Sequence, residues 1–265
     1  MPIQITTEQI KELRDATGIS VMQCRNALVE AEGDMKKALA ILKKTSSEIA
    51  LKKINREVKD GAIMIKTDGK RAVLVSLLCE TDFVARNDDF KMLLSKIADL
   101  ALEKMPGAGG DASLWKEEAK EMINATIQKT GENIQLGEAY EVGGSVLGTY
   151  VHNNKIGVIV SLEGGAPELA KDVAMHIAAM KPEYITSEQI TGDERKTVEE
   201  IFLKEIASVN KPEDIKKKML EGKLKTYFKE KTLLEQAFIK DGEQTVGELL
   251  AKAGAKIKEV KRYSI

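Results

Sequence analysis

The chain has 265 residues, of which 43% are hydrophobic and 31% charged, and its formal net charge is −1. This length can bury one large core or two smaller ones, and the balanced charge argues against the basic surface of a duplex-binding protein. No apolar stretch reaches the roughly 18–20 residues that span a bilayer. The two cysteines, Cys24 and Cys79, lie far apart. We therefore expect a cytoplasmic protein with buried free thiols and no direct contact with nucleic acid or membrane.

Residues 1–55 predict a small module of three helices and a Lys-rich helical connector. The sequence "TTEQ" from Thr6 is typical of a capping box, and Gly18 ends the helix that it begins. A second box at Ser20 begins the next helix, and Asp34 caps the third. Apolar residues recur at helical spacing in each segment, so the three helices share one small core.

Residues 56–140 predict the first half of a larger core. Period-2 alternation favours a β-hairpin with its turn at Asp68-Gly69. A helix follows from about Asp88, with Asn87 as its N-cap, until "PGAGGD" breaks it. A second amphipathic helix runs from about Ser113.

Residues 141–265 repeat this plan. Aligning Gly61 with Gly144 brings "AVLVSL" close to "GVIVSL" at an offset of about 83 residues, which indicates an internal duplication. The second hairpin turns at Asn153-Asn154, and a helix follows. Residues at about 186–231 predict an inserted αα-hairpin. The expected fold is therefore α+β: an N-terminal three-helix (UBA-like) module, a duplicated hairpin-plus-helix core with antiparallel sheets, and an inserted helical-hairpin arm.

Motifs for chemistry are absent from the sequence. It contains no P-loop, no GxGxxG after a strand, no GxSxG and no HExxH. Two histidines and two distant cysteines do not match any usual zinc spacing. His176 lies on an apolar helix face and is predicted to be a satisfied core histidine. His152 lies at a hairpin tip, where it is predicted to be exposed, as a partner contact or as an idle surface residue. We expect no enzyme, no metal and no cofactor.

The segment "CETDFVARNDD" places one aromatic residue among charged ones. Phe83 precedes Phe90 by seven residues, in phase with the apolar stripe of the next helix, and this spacing alone favours a core role. The alternative is an exposed wedge that meets another molecule. The carboxylates of Asp82, Asp88 and Asp89 allow a metal site, but acidic residues at a helix start are explained more simply by the helix dipole.

Several segments together resemble the bacterial elongation factor Ts family. "LRDATGISVMQCRNALVEAEGDMKKALAIL" is similar to that family's N-terminal module, and the TDFVA motif at Thr81–Ala85 directly follows a predicted strand. "GSVLGTYVHNNKIGVIV" and "AMHIAAMKPEYI" resemble its second core half. The similarity runs in order from about residue 6 to the end of the sequence.

The resemblance implies a nucleotide exchange factor without an active site of its own. It would bind elongation factor Tu in its GDP-bound and nucleotide-free forms and drive GDP out by disturbing the Mg²⁺ site. The residues that the resemblance assigns to this disturbance are Thr81, Asp82, Phe83 and Val84. The other matching contacts are Arg14, Val21 and Met22 in the module and His152 in the core; Val21 stands where relatives usually have Met.

Three other functions are compatible with parts of the sequence. An adaptor would bind through the three-helix module, so that Met22 matters and Phe83 does not. An enzyme would use the cluster of Asp82, Asp88 and Asp89. An RNA-binding protein would use the Lys-rich arm and show a steep salt dependence. Pairing of two complexes through the second core half or the arm stays open.

Overall fold

The computed structural model describes residues 5–105 and 113–265, so the "PGAGGD" stretch lies outside the described residues. The helices are α1 (Thr7–Thr17), α2 (Val21–Glu30), α3 (Met35–Lys53), α4 (Asp82–Arg86), α5 (Asp88–Lys104), α6 (Ser113–Thr130), α7 (Pro167–Met180), α8 (Gly192–Ala207), α9 (Glu213–Lys231) and α10 (Val246–Lys252). The strands are β1 (Asp60–Thr67), β2 (Arg71–Cys79), β3 (Ile134–Gly143), β4 (Val146–His152), β5 (Ile156–Glu163), β6 (Ala237–Phe238), β7 (Asp241–Thr245) and β8 (Lys256–Ser264). Short 3₁₀ turns lie at Ser187–Gln189 and Leu233–Glu235. The mixture of helices and antiparallel strands confirms the α+β class.

The N-terminal helices form where the caps predict them. Thr6 and Gln9 make a reciprocal capping box, and Gly18 ends α1 in the left-handed conformation at φ 65°. The Asp34 carboxylate caps α3 by accepting from two backbone N–H groups. At Ser20 the box is only half formed, because the Gln23 side chain accepts from the Ser20 hydroxyl rather than from its backbone.

A small apolar core holds these three helices together. Its buried residues are Leu13, Ile19, Cys24, Ala27, Leu28, Ala31, Ala38 and Leu42. The expected Lys-rich connector is not a separate segment, because α3 continues through it to Lys53. The likeness to a UBA domain stays a prediction.

The first core half is a three-stranded sheet in the order β1-β2-β3, covered by α5 and α6. β1 and β2 pair antiparallel, so that Asp60 lies opposite Cys79 and Thr67 opposite Ala72. The apolar faces of α5 and α6 cover the sheet around the fully buried Trp115 and Phe90. β3 was not predicted from the sequence. Most of its residues are half-buried, so it lacks the apolar alternation that reveals a strand.

The second core half contains a three-stranded sheet in the order β4-β5-β8 and a small β6-β7 sheet. The turn between β4 and β5 is at Asn153 and Asn154, both at positive φ, as their residue type predicts. α7 buries one face, which includes Val173, His176 and Ile177, while Met180 in its last turn is 47% exposed.

The chain divides into two compact units. The first comprises Met1–Glu141, Val151–Gly157 and Tyr263–Ile265, and the second comprises Val142–Tyr150 and Val158–Arg262. The second unit includes the helical pair α8 and α9, which lies in the segment predicted to be inserted. Within the described ranges, no helix has the length and apolar character needed to cross a membrane. The three domains expected from the sequence, residues 1–55, 56–140 and 141–265, stay predictions.

Candidate functional site

The ring of Phe83 lies on the surface, with 82% of the side chain exposed. It belongs to the one-turn helix α4, which begins directly after β2 and was not predicted from the sequence. Thr81 is the N-cap of α4, and its hydroxyl accepts from the Val84 N–H at 3.4 Å. We call residues 81–86 the Phe83 turn.

The exposure of Phe83 contradicts the core role that its spacing from Phe90 favours. That spacing assumes one continuous helix, but Asn87 is extended at ψ 142° and separates α4 from α5. Within α4, Val84 and Ala85 pack against the core, and Phe83 lies away from it. A break of one residue therefore changes the helical phase, so Phe83 is exposed rather than buried. Its contact with another molecule stays a prediction.

The acidic residues around Phe83 have structural partners. Asp82 pairs with Arg86 at 3.2 Å and Asp88 with Lys91 at 3.5 Å, each within its own helix. Asp88 and Asp89 lie in the first turn of α5, where their charge is favourable to the helix dipole. Among the residues that the structure describes, no three His, Cys, Asp or Glu side chains form a group that could hold a metal ion.

The predicted contacts of the N-terminal module lie at the corner between α1 and α2. Arg14 is exposed in the last turn of α1, and Val21 and Met22 follow in the first turn of α2. Met22 is 72% exposed. Val29, which is 54% exposed, was not singled out from the sequence, although it lies seven residues after Met22 and therefore on the same helix face.

His152 lies exposed at the tip of the β4–β5 hairpin, as predicted, where the Asn153 side chain approaches its ring at 3.3 Å. Lys155 anchors this tip by donating to the Gly61 carbonyl at 2.6 Å and to the Asp60 carboxylate. Burial opposes ionisation of Asp60, but the Lys155 ammonium and the Gly61 N–H hold the pKa of that carboxyl below its usual range. The His152 tip is therefore attached to the end of β1 that lies opposite Cys79.

Cys79 is buried between the Phe83 turn and the Asp60 end of β1, to which the His152 tip is attached. Burial, with the nearby Asp60 and Glu132 carboxylates, raises the pKa of its thiol to about 12. The thiol donates to the Thr81 carbonyl at 3.1 Å. Both Cys24 and Cys79 are buried and free, which confirms their predicted state, and Cys79 acts as a packed neutral group rather than as a nucleophile.

The last turn of α6 and the residues after it bring several of these segments together. Gly18, at the α1–α2 corner, lies against the Lys129 side chain. Lys53, at the end of α3, donates to the Gly131 carbonyl. Glu132 accepts from Thr81, at the base of the Phe83 turn. All of these residues belong to the first unit.

A groove of about 610 Å³ between α3, α6 and β3 was also missed from the sequence. Its exposed apolar residues include Leu51 and Ile54 near the end of α3, at 67% and 55% exposure. The sequence signal for this groove was Leu51 and Ile54, two apolar residues within the segment that we interpreted as a Lys-rich connector.

Comparison with known proteins identifies the family. The family described as "Elongation factor TS" matches residues 80–265. Elongation factor Ts of Hahella chejuensis is 40% identical over 264 residues, covering 98% of this chain and 92% of the relative. The homologue of Pseudomonas fluorescens is 40% identical over 265 residues, with 99% and 91% covered. That of Pseudomonas aeruginosa is 38% identical over 267 residues, again with 99% and 91% covered. The chain therefore belongs to the elongation factor Ts family of translation elongation factors.

Proposed function

We propose that this chain is a guanine nucleotide exchange factor in translation elongation. It binds elongation factor Tu with GDP bound and promotes GDP release by disturbing the Mg²⁺ and phosphate site. One observation carries the proposal: the TDFVA motif of the family holds an aromatic ring that is 82% exposed. The chain performs no bond-making step itself, and it uses neither metal nor cofactor of its own.

The proposal assigns a role to each predicted contact. Phe83 inserts between side chains of the partner beside its Mg²⁺ site. The residues that share this turn and this role are Thr81, Asp82 and Val84. The residues that hold the partner elsewhere are Arg14, Val21, Met22 and His152. Nucleic acid and membrane take no direct part. The mass of the purified complex with elongation factor Tu measures whether two complexes pair.

The energy of burying one ring is of the right size for this role. A ligand that prefers the nucleotide-free form of a GTPase weakens GDP binding by its difference in affinity for the two forms. Burying a Phe side chain contributes about 1.5–3 kcal/mol. If all of this free energy goes into the difference in affinity between the two forms, the affinity for GDP changes about ten- to a hundredfold. Phe83 therefore contributes a large part of the exchange, and the contacts of the module and the core supply the rest.

Phe83→Ala tests this function. The wild-type protein is expected to accelerate release of fluorescent GDP from elongation factor Tu, and the variant to be about ten- to a hundredfold weaker because the inserted ring is lost. Stopped-flow fluorescence measures the release rate over a range of exchange-factor concentrations. Ile201→Ala, which truncates a 52% exposed side chain on α8, is the matched control and is expected to match the wild type.

The same assay distinguishes the main alternative, an adaptor that binds through the N-terminal module. The exposed face of Met22 and Val29 supports that alternative. If Met22→Ala abolishes partner binding while Phe83→Ala changes nothing, the module carries the function and the wedge assignment fails. If the wild-type protein does not accelerate GDP release at all, the exchange-factor proposal fails and the adaptor takes its place.

A further inference from the structure

Glu132 lies at the base of the Phe83 turn and receives three hydrogen bonds there. One carboxylate oxygen accepts from the backbone N–H groups of Glu80 at 3.1 Å and Thr81 at 3.0 Å. The other accepts from the Thr81 hydroxyl at 2.6 Å. Because that hydroxyl donates to Glu132, its lone pair stays available for the Val84 N–H of α4.

The same two chain segments are joined a second time in the opposite direction. The Glu80 carboxylate accepts from the backbone N–H of Asn133 at 2.6 Å and from the Arg56 side chain at 3.4 Å. The hydrogen bond from Asn133 holds the pKa of the Glu80 carboxyl below its usual range. Each carboxylate therefore binds the backbone of the segment that carries the other one.

These reciprocal hydrogen bonds also reach the end of α3. The Asn133 side chain is buried and donates to the carbonyls of Arg56 at 2.7 Å and Ile54 at 3.4 Å. The end of the N-terminal module, the end of β2 and the start of β3 thus meet at one set of hydrogen bonds. We call this set, made by Glu80, Thr81, Glu132 and Asn133 with the α3 end, the Glu132 junction.

The Phe83 turn needs such support because α4 is too short to be stable alone. A helix of one turn gains few hydrogen bonds for the dihedral angles it fixes, and the cap from Thr81 to Val84 is long at 3.4 Å. Hydrogen bonds to a charged acceptor are stronger than neutral ones. Removing the Glu132 carboxylate leaves two backbone donors unsatisfied at the point where α4 begins.

We propose that Glu132 is a positioning residue for exchange, which holds the Phe83 turn in the conformation that presents the ring to the partner. The inference rests on the proposed exchange function and deepens it. Glu132 acts through the turn and does not itself bind the partner. Loss of the Glu132 carboxylate should therefore reduce the contribution of Phe83 to GDP release, while the contacts of the N-terminal module persist.

Glu132→Ala and Glu132→Gln test the proposal in the GDP-release assay. Glu132→Ala is expected to lower the maximal release rate about tenfold, equivalent to about 1.4 kcal/mol, and to change the half-saturating concentration less than twofold. Glu132→Gln still offers an oxygen to the two backbone donors, so it should recover most of the rate. Glu103→Ala removes the same charge from an exposed position on α5 and is expected to match the wild type.

A double-mutant cycle separates positioning from a general structural effect. If Glu132 acts through Phe83, Glu132→Ala changes the rate less than twofold in a Phe83→Ala background, because the ring it positions is gone. Equal effects in both backgrounds would overturn the proposal. So would a Glu132→Ala protein that releases GDP at the wild-type rate.

Amide hydrogen exchange of the protein without its partner gives a measurement that does not depend on the proposed function. In Glu132→Ala the amides of residues 80–84 are expected to exchange about tenfold faster, while those of α1 and α2 are unchanged. Wild-type exchange at residues 80–84 would show that Glu132 does not hold the turn. If the wild-type protein fails to release GDP, the exchange function falls, and these amides still report whether Glu132 fixes the Phe83 turn.

Discussion

The ring of His176 is fully buried, and both of its nitrogens have partners. Nε2 lies 2.9 Å from the Gln236 side-chain oxygen, and Nδ1 accepts from the Ile239 N–H at 3.3 Å. A backbone N–H can only donate, so Nδ1 must be unprotonated and the ring neutral, with its proton on Nε2. This confirms the prediction of a satisfied core histidine. Burial lowers the pKa of His176, partly offset by the hydrogen bond to Gln236.

His176 is expected to make the protein less stable in mild acid. Its pKa in the folded state lies below the unfolded value near 6.5, so the unfolded chain binds the proton first as pH falls. Stability should therefore decrease as pH drops from 7.5 through 6.5 and level off below the folded pKa. Urea unfolding at pH 7.5, 6.5 and 5.5 measures this dependence.

The chain offers a matched control for this titration, because it has only two histidines. His176→Gln should lose the pH dependence above about pH 5.5, below which carboxylates begin to titrate. His152→Gln, at an exposed position, should retain it. If His152→Gln removes the dependence and His176→Gln keeps it, the buried ring is not the titrating group.

At the scale of elements, β4 and α7 approach so closely that only glycine fits between them. A Cβ atom on Gly148 would lie within 2.5 Å of the Ala170 carbonyl and the Lys171 nitrogen, which are backbone atoms that cannot turn aside. Gly222, in the middle of α9, is the opposite case, since a Cβ there meets nothing within 4 Å. The same residue type therefore has a packing role at one position and none at the other.

Alanine at these two glycines should change stability in opposite directions. Gly148→Ala is expected to destabilise the protein by about 1–3 kcal/mol or more, because α7 has to move away from β4. Gly222→Ala is expected to stabilise it by about 0.4–1 kcal/mol, because alanine favours a helix interior. Denaturant unfolding measures both changes. Equal effects of the two substitutions would show that β4 and α7 do not pack in this way.

At the scale of the whole molecule, opposite charges nearly cancel. The chain has 41 basic and 42 acidic residues, and α8 and α9, the helices of the predicted arm, carry ten basic and nine acidic ones. Arm lysines pair with glutamates, as Lys223 does with Glu205 at 2.6 Å and Lys216 with Glu213 at 3.1 Å. In these pairs the charge of each lysine is balanced by a neighbouring carboxylate.

This charge distribution predicts that the protein does not bind RNA at physiological salt. Nucleic-acid affinity comes largely from the counterions that leave the phosphates when Lys and Arg neutralise them, and a surface of balanced charge does this poorly. Fluorescence anisotropy with labelled tRNA at 50 and 150 mM salt is expected to give no binding at the higher concentration. Binding that falls steeply between the two salt concentrations, and that is lost when Lys217, Lys218 and Lys225 are changed to Ala, would restore the RNA-binding alternative for the arm.

Local signals determined much of this protein. The caps at Thr6 and Asp34, the Gly18 stop and both hairpin turns follow from residue types that satisfy backbone groups within a few positions. The apolar spacing of α2 and α5 identified their buried faces, because residues at helical spacing lie on one side of a helix. The TDFVA motif identified the segment that contains Phe83.

Only the tertiary structure decided which way Phe83 faces and what holds it there. Its direction depends on the extended residue Asn87 and on the burial of Val84 and Ala85, which spacing alone does not reveal. Glu132 meets Thr81 across 51 residues of chain, and α5 and α6 lie between the two in the sequence. Hydrogen bonds over such a separation leave no periodic trace in the sequence, because their register is set by the packing of elements that lie between them.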